Sequence, residues 1–173
     1  KLRQETFSLG ISWKHISDYH TQTVSAGYNY LNNRSIKYKE NDDSIESNLR
    51  LRSSGLEGKA TIRFENRSNY GLWIVREGLE SSWRHYDTRI FRLTQSDIPI
   101  DYKSAIGFFM GAVYASADYR SPDNSLTASA GLRADISSYS AETAKIWKQI
   151  SPRGSISYNF KNGMSLNANA GLY

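Results

Sequence analysis

Between residues 125 and 136 the chain reads SLTASAGLRADI, and its chemistry switches at every step. Leu126, Ala128, Ala130, Leu132, Ala134 and Ile136 fall on one side; Ser125, Thr127, Ser129, Gly131, Arg133 and Asp135 fall on the other. Period two is the repeat of a strand whose faces meet different surroundings, and a helix would need a period of 3.6. With 39% hydrophobic residues, chance would produce such a window in roughly two of ten thousand trials. The pattern returns as Met164, Leu166, Ala168, Ala170 and Leu172 against Ser165, Asn167, Asn169 and Gly171. It returns again as Phe7, Leu9, Ile11 and Trp13, as Val24, Ala26, Tyr28 and Tyr30, and as Ile156, Tyr158 and Phe160. Ala60, Ile62 and Phe64 oppose Thr61, Arg63 and Glu65. An all-β chain follows.

Polar breaks separate these blocks. Asn162-Gly163 is a hairpin signal, because both central residues of such a turn tolerate positive φ. Ser121-Pro122-Asp123-Asn124 places a proline where φ is preset. The runs 17–22 and 66–69 are also short, whereas 32–47, 92–102 and 138–149 are longer. Short and long connections therefore alternate, as they do in an up-and-down membrane barrel with tight turns at one end and loops at the other. About eight strands are expected, with bulges near Gly55–Gly58 and near Gly78 where the parity slips. The longest apolar run, residues 105–115, is far short of the ~20 residues of a membrane helix. The opening KLRQETFSLG lacks the apolar core of a signal peptide.

Alternation alone fits either a soluble β-barrel binding module, apolar inside, or a transmembrane barrel, apolar outside. Three features favour the membrane. The polar faces hold Ser, Asn, Thr and Gly rather than the dense Lys and Glu of a soluble surface. An 11-residue strand tilted by ~45° covers ~25 Å, the height of the apolar band. Aromatics stand near expected strand ends: Trp13, Tyr19, Tyr70, Trp73, Tyr119, Tyr139, Tyr158 and Phe160. A negative mean hydropathy does not oppose this reading, because averaging hides a one-sided strand.

Little in the chain points to covalent chemistry. It has no cysteine, so disulfides and thiolate metal sites are excluded. His15, His20 and His85 lack metal-ligand spacing. No nucleophile elbow, phosphate loop or dinucleotide fingerprint occurs, so no enzyme activity and no cofactor are expected. The acidic run Glu40–Asp43 lacks calcium-loop spacing and reads as a solvated loop. The surplus of 22 Lys+Arg over 17 Asp+Glu is spread evenly, without the basic stripe of a nucleic-acid binder. The remaining candidates are Arg63, Glu65, Arg133 and Asp135, which would point into the lumen if the apolar face met lipid. They could touch a ligand or another domain; a cross-strand charge ladder that fixes the wall is the more economical role.

The last fifty residues resemble a known family. Leu126-Thr127, then Ala130-Gly131-Leu132-Arg133 with Asp135, then Ser151-Pro152-Arg153 after a loop, and Ser165 to Tyr173 after a short turn are similar to strands of TonB-dependent outer-membrane receptors. The Asn/Ser-rich strands and the loops resemble the Bacteroidetes branch. Over 1–124 the likeness rests on strand pattern alone. The resemblance implies an antiparallel transmembrane β-barrel in the Gram-negative outer membrane, residues 1–173 forming part of a wall of about 22 strands. It implies an interior segment cut at both ends, with Tyr173 in a strand still running and the plug domain and TonB-contacting box outside the chain. The implied activity is import of a scarce nutrient: a metal chelate, corrinoid or glycan. Implied partners are TonB, reached through the missing N-terminal region, a plug domain in cis, a surface lipoprotein lid and the lipid bilayer. A self-contained eight-stranded outer-membrane protein with a structural or adhesive role is the alternative.

Overall fold

The computed structural model describes residues 1–94 and 96–172. Eight strands form one sheet in the order β1-β2-β3-β4-β5-β6-β7-β8, so each strand pairs with its sequence neighbours. They are β1 (Leu2–Ile16), β2 (His20–Tyr38), β3 (Leu49–Tyr70), β4 (Trp73–Leu93), β5 (Pro99–Arg120), β6 (Leu126–Ser137), β7 (Ile150–Asn159) and β8 (Ser165–Gly171). The sheet is antiparallel, up-and-down and open, with β1 and β8 at its edges among the described residues. Tyr173 lies outside the described residues, as does Gln95 within the 92–102 stretch.

Register explains why alternation makes two pure faces. Across β5, β6 and β7, Ala115 pairs with Leu132 and Leu132 with Pro152; Tyr119 pairs with Ala128 and Ala128 with Ile156. Leu166 and Ala168 of β8 continue these rows opposite Tyr158 and Ile156. Directly paired residues share a face, so this side is apolar from β5 to β8. On the other side Asp118, Ser129, Ser155 and Asn169 form one row, and Arg120, Thr127, Ser157 and Asn167 the next. Large apolar side chains stay uncovered: Leu132 is 53% exposed and Leu166 64%. Only Leu49 and Ala112 are buried hydrophobic residues among those described. Among the described residues the apolar face is left uncovered, as the outward face of a membrane barrel is.

Several strands outrun their apolar blocks. β3, β4 and β5 contain 22, 21 and 22 residues, about twice what a bilayer crossing requires. Beyond lipid the outward face need not be apolar, so strand ends read as loops: β2 continues to Tyr38 and β5 begins at Pro99, leaving connections at 39–48 and 94–98. The expected break at 66–69 is displaced to Gly71-Leu72, where Gly71 takes φ +62. Ser68 is buried and its Oγ lies 2.8 Å from His20 Nδ1, so those polar residues pair within the sheet. The Asn162-Gly163 turn also differs in type. Only Gly163 has positive φ (+85), and its N–H donates to Phe160 O at 3.1 Å; this is a three-residue loop closed by a left-handed glycine.

Contacts divide the chain into two compact units. One comprises Lys1–Gly10, Gly27–Ala60 and Trp83–Phe108; it contains the 39–48 and 94–98 connections and ion pairs Lys1–Asp43 and Arg50–Asp97. The other comprises Ile11–Ala26, Thr61–Ser82 and Phe109–Tyr173 and holds the tight turns. Beside those turns aromatic rings gather: Trp73 and Tyr119 at 5.0 Å, Tyr158 and Phe160 at 4.8 Å. Tyr139 instead follows β6 at its other end. No helix is long and apolar enough to cross a membrane, which says nothing of strands.

Candidate functional site on the polar face

On β3 the odd residues Arg63 and Glu65 share the polar face, since alternate side chains point the same way. Arg63 Nη2 donates to Glu65 Oε2 at 2.8 Å. Both are tied to Tyr114 of β5: Arg63 Nε and Nη2 donate to its hydroxyl oxygen at 3.2 and 3.0 Å, and that hydroxyl donates to Glu65 Oε2 at 2.9 Å. The guanidinium also stands 5.6 Å from the centre of the Tyr114 ring.

Tyr114 reaches β3 only by crossing β4, and it crosses at Gly78. A Cβ on Gly78 would lie 2.5 Å from Tyr114 Cζ and Oη and 2.6 Å from the Phe64 carbonyl oxygen. No side chain fits there. The parity slip expected near Gly78 marks this crossing, and the structure assigns β3 and β4 without interruption through both glycine positions.

Tyr114 pairs directly with Arg133 of β6. Arg133 grips Asp135 through Nε and Nη2, at 2.8–3.1 Å. The expected cross-strand charge ladder is therefore corrected in geometry: both charge pairs run along their own strand at i,i+2, and Tyr114 provides the link between strands. Arg76 of β4 and Asp118 of β5 make a true cross-strand ion pair on this face. Between these groups lies a concavity of 220 Å³, lined in part by Arg63, Glu80, Tyr114, Arg133, Ser151 and Arg153. A second one, toward β8, is bounded by Asp118, Ser129, Ser155 and Asn169. The site offers guanidinium, carboxylate and hydroxyl groups to a hydrated polar surface. No group of three or more His, Asp or Glu converges as for a metal among the described residues.

Of the four residues expected from the sequence, the structure joins Arg63 with Glu65 and Arg133 with Asp135, and places Tyr114 beside both arginines. Tyr114 is not among the residues the sequence singles out, and Gly78 is singled out only as a slip in parity. Tyr114 lies inside the apolar run 105–115 and reads there as one more hydrophobe; the signal lies in its phase, shared with Ser116 and Asp118.

Residues 1–172 match the family model described as TonB dependent receptor-like, beta-barrel. No curated protein matches. Among solved structures, the copper transporter OprC is similar with a TM-score of 0.69 at 15% identity, over 98% of this chain and 29% of that one. The chain thus spans less than a third of that transporter's length, and at this identity the likeness is one of fold.

Proposed function

The chain belongs to the TonB dependent receptor-like β-barrel family, and from that premise we propose that it forms part of the wall of a receptor importing a scarce nutrient across the Gram-negative outer membrane. The carrying observation is the register from β5 to β8, which puts an unbroken apolar face opposite an unbroken polar one. The polar face lines the lumen. There the Arg63–Glu65–Tyr114 brace and the Arg133–Asp135 pair hold the wall, and the concavity between them meets the plug domain or a passing solute. Metal chelates, corrinoids and glycans are the ligand classes of this reading, and a fold shared with a copper transporter adds support to the first. Energy comes from TonB, and a surface lipoprotein closes the outer mouth. The wall performs no covalent step.

Among the described residues β1 and β8 are the edge strands of the sheet, which supports a segment of a larger wall over a self-contained eight-stranded barrel. Uptake tests the proposal. Cells lacking the intact receptor should lose energised uptake of one scarce nutrient, and cells lacking TonB should lose it equally. Uptake that persists without TonB would sink the transport reading.

A further inference from the structure

The lipid-side face changes character along its length. Near the tight turns Glu77 shares a concavity with Phe64, Leu79, Val113 and Leu132, and its carboxylate accepts from Asn66 Nδ2 at 3.0 Å, which also reaches Ser68 Oγ. Leu79, Trp83 and Arg89 follow on the same side of β4, since alternate side chains point the same way. The Trp83 ring lies over Gly107 of β5, where a Cβ would meet its Cζ2 at 2.8 Å, and Lys103 is four residues from that glycine. Hydrogen bonds at both ends of the β4–β5 ladder, Thr94 N–H to Ile98 O and Arg120 N–H to Leu72 O, keep one register. Counting in from either end sets Arg89 directly opposite Lys103.

Like charges in that position repel, and little offsets them. Arg89 meets Asp87 only at 3.6 Å, and Lys103 makes no ion pair among the described residues. Both line a 480 Å³ hollow with Glu46, Arg52, Phe91 and Asp101, three cations against two carboxylates. Arg52 and Glu46 engage each other at 3.3 Å.

Height decides which anion reaches this place. Trp73 marks the headgroup level at the tight-turn end, and Trp83 stands ten residues further along β4, about 23 Å at the usual tilt, the height of the apolar band. Trp83 thus marks the other edge, on the side of the longer, outer loops. Arg89 lies six residues beyond it, about 14 Å. A phospholipid headgroup layer is only about 5–8 Å deep, so its phosphate falls short.

We propose that this hollow binds the phosphorylated saccharide of an outer-leaflet glycolipid, with Arg89 and Lys103 donating to phosphate oxygens. The opposed cations select an anion. Height selects a headgroup longer than that of a phospholipid. The face selects a lipid standing beside the wall over a solute in the lumen. The proposal rests on the reading that the apolar face meets lipid.

The test is native mass spectrometry of the intact receptor reconstituted in turn with three lipids. They are a lipopolysaccharide truncated after its phosphorylated inner saccharides, the same molecule lacking the saccharide phosphates, and phosphatidylglycerol. Retention of the first should exceed that of the second by roughly tenfold, the worth of one charge-assisted hydrogen bond. Arg89→Gln and Lys103→Gln should each lower that ratio, and the double variant should bring it near one. Lys161→Gln, in the turn before β8, should leave it unchanged. Equal retention of the first two lipids by the wild-type protein, or a ratio unmoved by the double variant, would overturn the proposal. So would phosphatidylglycerol retention that falls in the double variant, since an ordinary headgroup would then fill the hollow. Retention of no lipid at all would contradict the lipid-facing assignment itself.

Discussion

The strip from β5 to β8 and the neighbouring stretch of β3 and β4 obey different rules. From Ala128 to Ala134 each outward residue is apolar, and each inward one is small or charged. In β3 and β4 the outward face admits Asn66, Ser68 and Glu77, while the inward face gives up a side chain at Gly78 so that Tyr114 can cross. The first region is specified by solvent on each side, one residue at a time. The second is specified by particular partners: a hydroxyl for Arg63, a ring for Gly78, an amide for Glu77. Solvent-made structure is legible in a sequence; partner-made structure is legible only once the partners are known.

The comparison can be broken at its most regular point. Leu132→Arg puts a charge in mid-strand on the lipid side and should cost about 2–4 kcal/mol, whereas Ser129→Arg, inward, should cost well under half of that. Urea unfolding of the intact receptor in lipid vesicles measures both, and equal costs would erase the distinction between faces. Gly78→Ala comes next. Its Cβ would meet backbone as well as the Tyr114 ring, so a loss of about 1–3 kcal/mol is expected. Tyr114→Phe keeps the ring over Gly78 and removes only the hydroxyl, which should cost about 1 kcal/mol. Smaller still is Ser155→Ala, which deletes the 2.7 Å cross-strand bond to Ser129 for about 0.2–1 kcal/mol.

The smallest effect is local and pH-dependent. Asp123 accepts bonds from Ser121 Oγ, Ser125 Oγ and the Ser125 N–H, which hold its carboxyl down at about 2 from an ordinary 3.8. Because the folded value is the lower one, the stabilisation is complete above about pH 4 and disappears as the pH falls through about 2. Amide exchange at Ser125 should therefore accelerate only in that window, after correction for intrinsic rates. Acceleration already at pH 5 would contradict the assignment.

Much of the fold was open to reading. Alternation in 125–136 and 164–172 defined strands and faces without knowledge of a partner, because lipid imposes the same demand on every outward residue. Gly163 marked its turn correctly, though not its type. The strand ends escape this pattern for the complementary reason: β2 at 32–38 and β5 at 99–102 are polar where no lipid constrains them. The run 66–69 has the polarity of a solvated turn, whereas Ser68 is buried with its Oγ against His20. Within the site, Arg63–Glu65 and Arg133–Asp135 were visible as i,i+2 charges on an otherwise small polar face. Tyr114 was not, since a phenol in an apolar run reveals its hydrogen bonds only when Gly78 opens the way to β3.

The central claim is that one face of this sheet meets lipid and the other lines a hydrated lumen. Single cysteine substitutions from Leu126 to Ile136, introduced into the intact receptor in its outer membrane, test it directly. Even positions should react with a lipid-phase probe and resist a water-soluble maleimide, and odd positions should do the opposite. Aqueous labelling at Leu132 and Ala134, or a profile with no period of two, would contradict the account.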